Sequence, residues 1–103
     1  MTKLDVKPEY LEILINIFDN YCPDAEIWAY GSRINGKSHS GSDLDMAVID
    51  FNSKDKSIYE LKNLLSESNL PFLTDINLFD TLPDSFKTEI KNNYLKIYPV
   101  KNL

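Results

Sequence analysis

Two aspartates one residue apart, Asp43 and Asp45, follow a Gly31-Ser32 pair after an interval of ten residues, and a third, Asp75, interrupts a later apolar run. On an extended strand, positions i and i+2 share a face and lie roughly 6–7 Å apart along the backbone. Two carboxylates so placed repel each other, and a divalent cation relieves that repulsion. Mg²⁺ in particular takes hard oxygen ligands in a tight octahedral shell. An Asp-x-Asp pair alone also describes ordinary solvent-facing strand residues. The glycine–serine turn adds weight: Gly31 lets a phosphate approach the backbone, Ser32 offers a hydroxyl, and the N–H groups of such a turn form an anion site. Arg33 carries a fixed fork of donors suited to phosphate, and equally able to pair with one of the aspartates. Asp75 has apolar neighbours, Leu73, Ile76 and Leu78, that are expected to be buried, and a carboxylate among them is costly unless it meets a cation or donors. If its strand lies beside that of Asp43 and Asp45, the three carboxylates make the cluster that two-metal phosphoryl transfer requires; if not, Asp75 is an exposed edge residue. Asp80 is the alternative third carboxylate, but it precedes Thr81-Leu82-Pro83 and reads as turn chemistry.

These residues need elements to hold them. Leu11, Leu14, Ile15 and Phe18 recur at helical spacing from Pro8 to about Asn20, and Pro8 suits a first turn. Pro23 closes that helix, and Glu26 to Tyr30 reads as a strand that ends at Gly31-Ser32. Residues 33–41 form a polar segment with room for one helical turn. Asp43 to Asp50 reads as a second strand with Leu44, Met46 and Val48 on one face. Ser57 is placed to cap a helix bearing Ile58, Leu61, Leu64 and Leu65, limited by Pro71. Phe72 to Phe79 reads as a third strand. A last helix sets Phe86, Ile90 and Tyr94 on one face before a short strand at Lys96-Ile97-Tyr98. This order predicts one α/β (α+β) domain over residues 1–103, with a small mixed sheet of about four strands flanked by helices.

Composition bounds the function. With 103 residues, 43% apolar and 26% charged, the chain is expected to fold as a single domain rather than remain disordered. No apolar run approaches the ~18–20 residues that span a bilayer, and the polar N-terminus has no signal-like apolar stretch. One cysteine, Cys22, leaves no intramolecular disulfide and reads as a small buried filler. A soluble cytoplasmic protein is the expectation. The net charge of −5 disfavours a protein that grips a nucleic-acid template. Lys87, Lys91, Lys96 and Lys101 make the C-terminal end locally basic, which reads as a solvated face. His39 reads as a solvated loop residue, and Trp28 and Tyr30 as packing residues of their strand.

The combined pattern, Tyr30-Gly31-Ser32-Arg33-Ile34-Asn35-Gly36 through Ser42-Asp43-Leu44-Asp45-Met46-Ala47-Val48 with Asp75 on a following strand, resembles the nucleotidyltransferase superfamily that includes DNA polymerase β. Within it the string is similar to the minimal nucleotidyltransferase (MNT) branch, and the resemblance covers nearly the whole chain. It implies a polymerase β palm-like fold. It also implies two Mg²⁺ ions on Asp43, Asp45 and Asp75, with Asp75 at the metal that faces the nucleophile. Gly31, Ser32, Arg33 and Ser42 would bind the nucleotide, ATP by family habit. MNT proteins often pair with HEPN-domain toxins and neutralise them by moving AMP to a tyrosine, so the resemblance implies a HEPN toxin as partner and no DNA template. A homo-oligomer is left open. The shortness of the chain fits an acceptor that brings its own binding surface. Two other readings stay open: a non-catalytic antitoxin that occludes its partner, and a small-molecule (aminoglycoside-type) nucleotidyltransferase whose acceptor site lies on another subunit.

Overall fold

The computed structural model describes residues 4–36 and 41–100. His39 and Lys101 therefore lie outside the described residues. Helix α1 (Pro8–Tyr21) opens with proline in its first turn, where the absent N–H costs nothing, and buries Leu14 and Phe18 one turn apart. Strand β1 (Glu26–Tyr30) alternates half-buried and buried residues. Strand β2 (Leu44–Asp50) buries Leu44, Met46, Ala47 and Val48, because both of its faces are covered. Helix α2 (Ile58–Ser66) is capped by Ser57, whose Oγ accepts from the Tyr59 N–H at 3.2 Å. Tyr21 ties the two helices together: its hydroxyl accepts from the Ser57 N–H at 2.8 Å. Strand β3 (Thr74–Leu78) runs into a single 3₁₀ turn at Phe79–Thr81, then helix α3 (Asp84–Asn92) and strand β4 (Leu95–Tyr98) follow.

The four strands form one mixed sheet in the order β3-β2-β1-β4. β1 pairs antiparallel with both β2 and β4, while β2 and β3 are parallel. A parallel pair needs a crossover, and α2 supplies it. Because side chains alternate along a strand, the sheet presents two different faces. Ile27, Ala29, Leu44, Met46, Val48, Ile76 and Ile97 pack with Leu14 and Phe18 of α1 and Leu61 and Leu65 of α2 in the main core. Burying each large side chain of this set contributes about 1.5–3 kcal/mol. On the opposite face a smaller cluster joins Ala47, Phe79 and Ile90, with Trp28, Tyr30, Ile49 and Leu82 against it.

Three expectations need correction. The third strand begins at Thr74 rather than Phe72, and Leu73 is 73% exposed at the open edge rather than buried. Phe72 instead packs edge-on against Tyr10 and beneath Arg33. The last helix stops at Asn92, so Tyr94 leaves the helical face and stacks on Trp28 with ring centroids 3.7 Å apart and planes 12° apart. The second strand begins at Leu44 rather than Asp43; before it, residues 32–36 form a hydrogen-bonded turn, with the Ile34 N–H donating to the Gly31 carbonyl at 3.1 Å, and residues 37–40 lie outside the described residues. Cys22 is fully buried, and burial pushes its thiol pKa up to about 11. Among the described residues no helix is long and apolar enough to cross a membrane.

Candidate active site

Register builds the site. Asp45 of β2 pairs with Tyr30 on the antiparallel side and with Asp75 on the parallel side. Residues paired across neighbouring strands point to the same face, with strands about 4.8 Å apart. Tyr30, Asp45 and Asp75 therefore form one row across three strands, on the face that α3 partly covers. The pairing continues one residue before β3, where the Leu44 N–H donates to the Leu73 carbonyl at 2.9 Å, and Asp43 lies just before Leu44. All three acidic residues expected at the site thus converge on one end of the sheet.

Their electrostatics follow from that placement. Burial raises the Asp45 pKa above the ordinary carboxylate value, and the charges of Asp75 and then Asp43 raise it further. Tyr30 is pushed up to about 12, first by burial and then by Asp45 and Asp75. A carboxylate so crowded by like charges holds a cation more readily than a lone surface aspartate does. Among the described residues no three acidic, thiol or imidazole side chains already close into a cage around a point. The donor set nevertheless suits hard divalent cations: three carboxylates, one of them half-buried and charge-crowded.

Gly31 explains its own identity. Its φ is +84°, and a Cβ built there would lie 2.5 Å from Asp45 Oδ2. The carboxylate occupies the space that any other residue's side chain would fill, and only glycine adopts this backbone without strain. Ser32 follows in the turn, half-buried.

Arg33, expected at a phosphate, is committed elsewhere. It is 7% exposed. Its Nε and Nη2 both donate to the Ser42 carbonyl at 3.0 and 2.8 Å, and Nη1 donates to the Asp5 carbonyl at 2.8 Å. The guanidinium carbon sits 4.3 Å from the centre of the Phe72 ring. In return the Asp5 N–H donates to the Arg33 carbonyl at 2.6 Å. Arg33 thus braces the chain at Ser42, immediately before Asp43, and ties the glycine turn to the aspartate strand. Ser42, expected at the nucleotide, is the residue this brace holds.

Two groups escaped the sequence reading. Asn77, two residues after Asp75 and on its face, donates from Nδ2 to Asp75 Oδ1 at 3.2 Å. Lys62 of α2 reaches the same sheet edge and donates from Nζ to Asn77 Oδ1 at 3.2 Å. The i, i+2 spacing of Asp75 and Asn77 was the available signal. Cavities flank the carboxylate row at both ends. One of about 420 Å³ runs from Gly31 and Asp45 to α3 and includes Phe86, Glu89 and Asn93. Another of about 340 Å³ lies beside Asp75 at the open edge, with Lys62, Ser66, Leu73 and Thr74 in its wall. Asp80 falls in the 3₁₀ turn, outside the paired strands.

A parallel pair with a helical crossover beside an antiparallel strand, with carboxylates aligned across it and a glycine turn at its end, defines a palm-like nucleotidyl-transfer scaffold. Residues 12–101 match the family model described as Polymerase beta, Nucleotidyltransferase, and the chain belongs to that family of nucleotidyltransferases. It is 38% identical over 100 residues to the "Probable protein adenylyltransferase MntA" of Haemophilus influenzae, covering 92% of this chain and 84% of the relative. This places it with the MNT-like branch that the Gly31–Asp45 string resembles. Its fold is also similar to a solved structure named "Crystal structure of the toxin-antitoxin with AMP-PNP", with a TM-score of 0.69 and 20% identity over 88% of this chain and 74% of that one.

Proposed function

We propose that this chain is a cytoplasmic, Mg²⁺-dependent adenylyltransferase that moves AMP from ATP to a hydroxyl, a tyrosine of a HEPN-type toxin, and so serves as the antitoxin of a pair. The observation that carries this reading is the alignment of Asp45 with Asp75 across β2 and β3, with Gly31 fitted against Asp45. The printed activity of the Haemophilus relative and the toxin-antitoxin neighbour support the choice of substrate class.

In this reading residues 1–103 act as one domain with two ends to its site. Gly31 and Ser32 receive the triphosphate at the turn that ends β1, where backbone N–H groups and the Ser32 hydroxyl lie beside Asp45. Asp43 and Asp45 would hold divalent cations, with Asp75 as a further carboxylate ligand. Bound there, Mg²⁺ supplies charge neutralisation on the phosphates and acidifies the attacking hydroxyl. The hydroxyl oxygen bonds to the α-phosphorus, the bond to the β-phosphate oxygen breaks, and pyrophosphate leaves. Asp75 is placed to accept the hydroxyl proton, with Asn77 donating to its Oδ1 and so restraining the carboxylate. The acceptor enters from the edge beside Asp75, where β3 is the outer strand among the described residues.

Incubation with α-labelled ATP, Mg²⁺ and the candidate toxin tests the reading. Label on the toxin, lost on Asp45→Asn and on replacement of its acceptor tyrosine, is the expected result. Neutralisation of the toxin that survives Asp43→Asn together with Asp45→Asn would overturn it in favour of occlusion. Label on an added aminoglycoside alone would move the acceptor to small molecules.

A further inference from the structure

The cavity between Gly31, Asp45 and α3 differs in chemistry from the rest of the site. Among the described residues that wall it there is no lysine or arginine; Asp45 and Glu89 make it acidic, and Asn92 and Asn93 make it rich in amides. Such a wall repels a phosphate that lacks a cation and accepts an uncharged heterocycle. Phe86 is the anomaly. It lies one turn before Ile90, which is 1% exposed, yet Phe86 itself is 51% exposed on the cavity wall. Helical spacing predicts both in the core; the structure leaves an aromatic face bare, a few residues from an amide-rich rim. At about 420 Å³ the cavity falls within the ~300–1,000 Å³ range of small-molecule sites.

We propose that this cavity holds the purine nucleoside of the donor nucleotide, with Phe86 as the stacking face for the base and Asn93 as the amide that reads its edge. The inference rests on the nucleotidyl-transfer reading and extends it to base selection. Its logic is positional. A triphosphate anchored at Gly31-Ser32 and bridged to Asp45 leaves its nucleoside beside Gly31 and Asp45, and the α3 cavity is the compartment that borders both. The compartment beside Asp75, at the far end of the row, is left to the acceptor. A side-chain amide pairs its N–H donor and carbonyl acceptor with N7 and the N6 amino group of adenine, whereas guanine presents two acceptors on that edge. Asn93 therefore favours adenine over guanine.

Isothermal titration of the full chain with AMP-PNP, GMP-PNP and tripolyphosphate, each with Mg²⁺, tests this. Tripolyphosphate fills the phosphate and cation sites and has no base. Phe86→Ala is expected to weaken AMP-PNP about tenfold, in line with base–aromatic stacking, while tripolyphosphate binds as to the wild type. Phe86→Trp restores the stacking face and the affinity. Asn93→Leu is expected to reduce the preference for AMP-PNP over GMP-PNP at least fivefold. Because Phe86 is half-exposed, its truncation leaves the melting temperature within a few degrees of the wild type, which circular dichroism checks. Unchanged AMP-PNP binding by Phe86→Ala overturns the proposal, as does equal weakening of AMP-PNP and tripolyphosphate. A wild-type chain that binds neither ligand instead overturns the underlying reading of the phosphate site.

Discussion

Gly31→Ala isolates the contact on which the site depends. A Cβ at this position would meet Asp45 Oδ2 at 2.5 Å, where real Cβ atoms keep at least 3.0 Å, so the carboxylate has to retreat by about 0.5 Å. Metal-binding and catalytic groups function only within roughly that tolerance. With about a hundredfold loss for a 1 Å misplacement, a loss of roughly tenfold in nucleotidyl transfer is expected, carried by the rate constant rather than by nucleotide affinity. The backbone adds its own cost: φ of +84° in an L-residue is worth about 1–2 kcal/mol. For a domain of this size that lowers the melting temperature by about 5–15 °C. Gly36→Ala is the matched control. Its φ is +80°, but a Cβ there meets nothing within 4 Å. Both variants should lose similar stability, measured by thermal denaturation, whereas only Gly31→Ala should lose transfer of labelled AMP at a temperature where both are folded. If Gly31→Ala keeps full activity, or if Gly36→Ala loses as much, the Gly31–Asp45 contact does not position the carboxylate and the argument fails.

Other perturbations separate charge, brace and orientation. Asp45 has its folded-state pKa raised by burial, Asp75 and Asp43, so its contribution to stability is full below the unfolded value near 3.8 and is lost as pH rises through the folded value. At pH 7 the ionised group therefore burdens the fold: Asp45→Asn should raise the melting temperature there and flatten its pH dependence while abolishing transfer, and a lower melting temperature at pH 7 would refute this. Added Mg²⁺ should stabilise the wild type and leave Asp45→Asn unmoved in a thermal-shift assay, since ligand binding to the native state is what raises stability. Arg33→Ala removes the donors to the Ser42 and Asp5 carbonyls and should cost on the order of 3 kcal/mol by urea denaturation. Tripolyphosphate affinity of the folded fraction should hardly change, and a loss above tenfold would return Arg33 to the phosphate. Asn77→Ala frees Asp75 Oδ1 from its amide and should reduce kcat by about three- to tenfold with KM for ATP unchanged; a rise in KM alone would place Asn77 at the nucleotide instead.

What the sequence by itself determined is local. The starts of α1 and α2 were legible because Pro8 in a first turn and Ser57 at a cap act on their own backbone neighbours. The strand of Glu26 to Tyr30 and the break at Gly31 were legible for the same reason. The closeness of Asp43 and Asp45 followed from their spacing, although β2 begins only at Leu44, and the family string joined them to Gly31-Ser32. Tertiary structure decided everything that depends on which strand lies beside which. The parallel register set Asp75 beside Asp45 and left Leu73 exposed, and no property of either segment alone fixes that alignment. Arg33 turned inward because Ser42, Asp5 and Phe72, distant along the chain, converge around it. Tyr94 left the helical face because a stack on Trp28 was available across the sheet, and Phe86 stayed bare at a cavity that only the approach of α3 to Gly31 creates. Periodicity and caps are set within a few residues; register, cavities and the partner of a buried charge are set by contacts between distant segments, and the site is built from the latter.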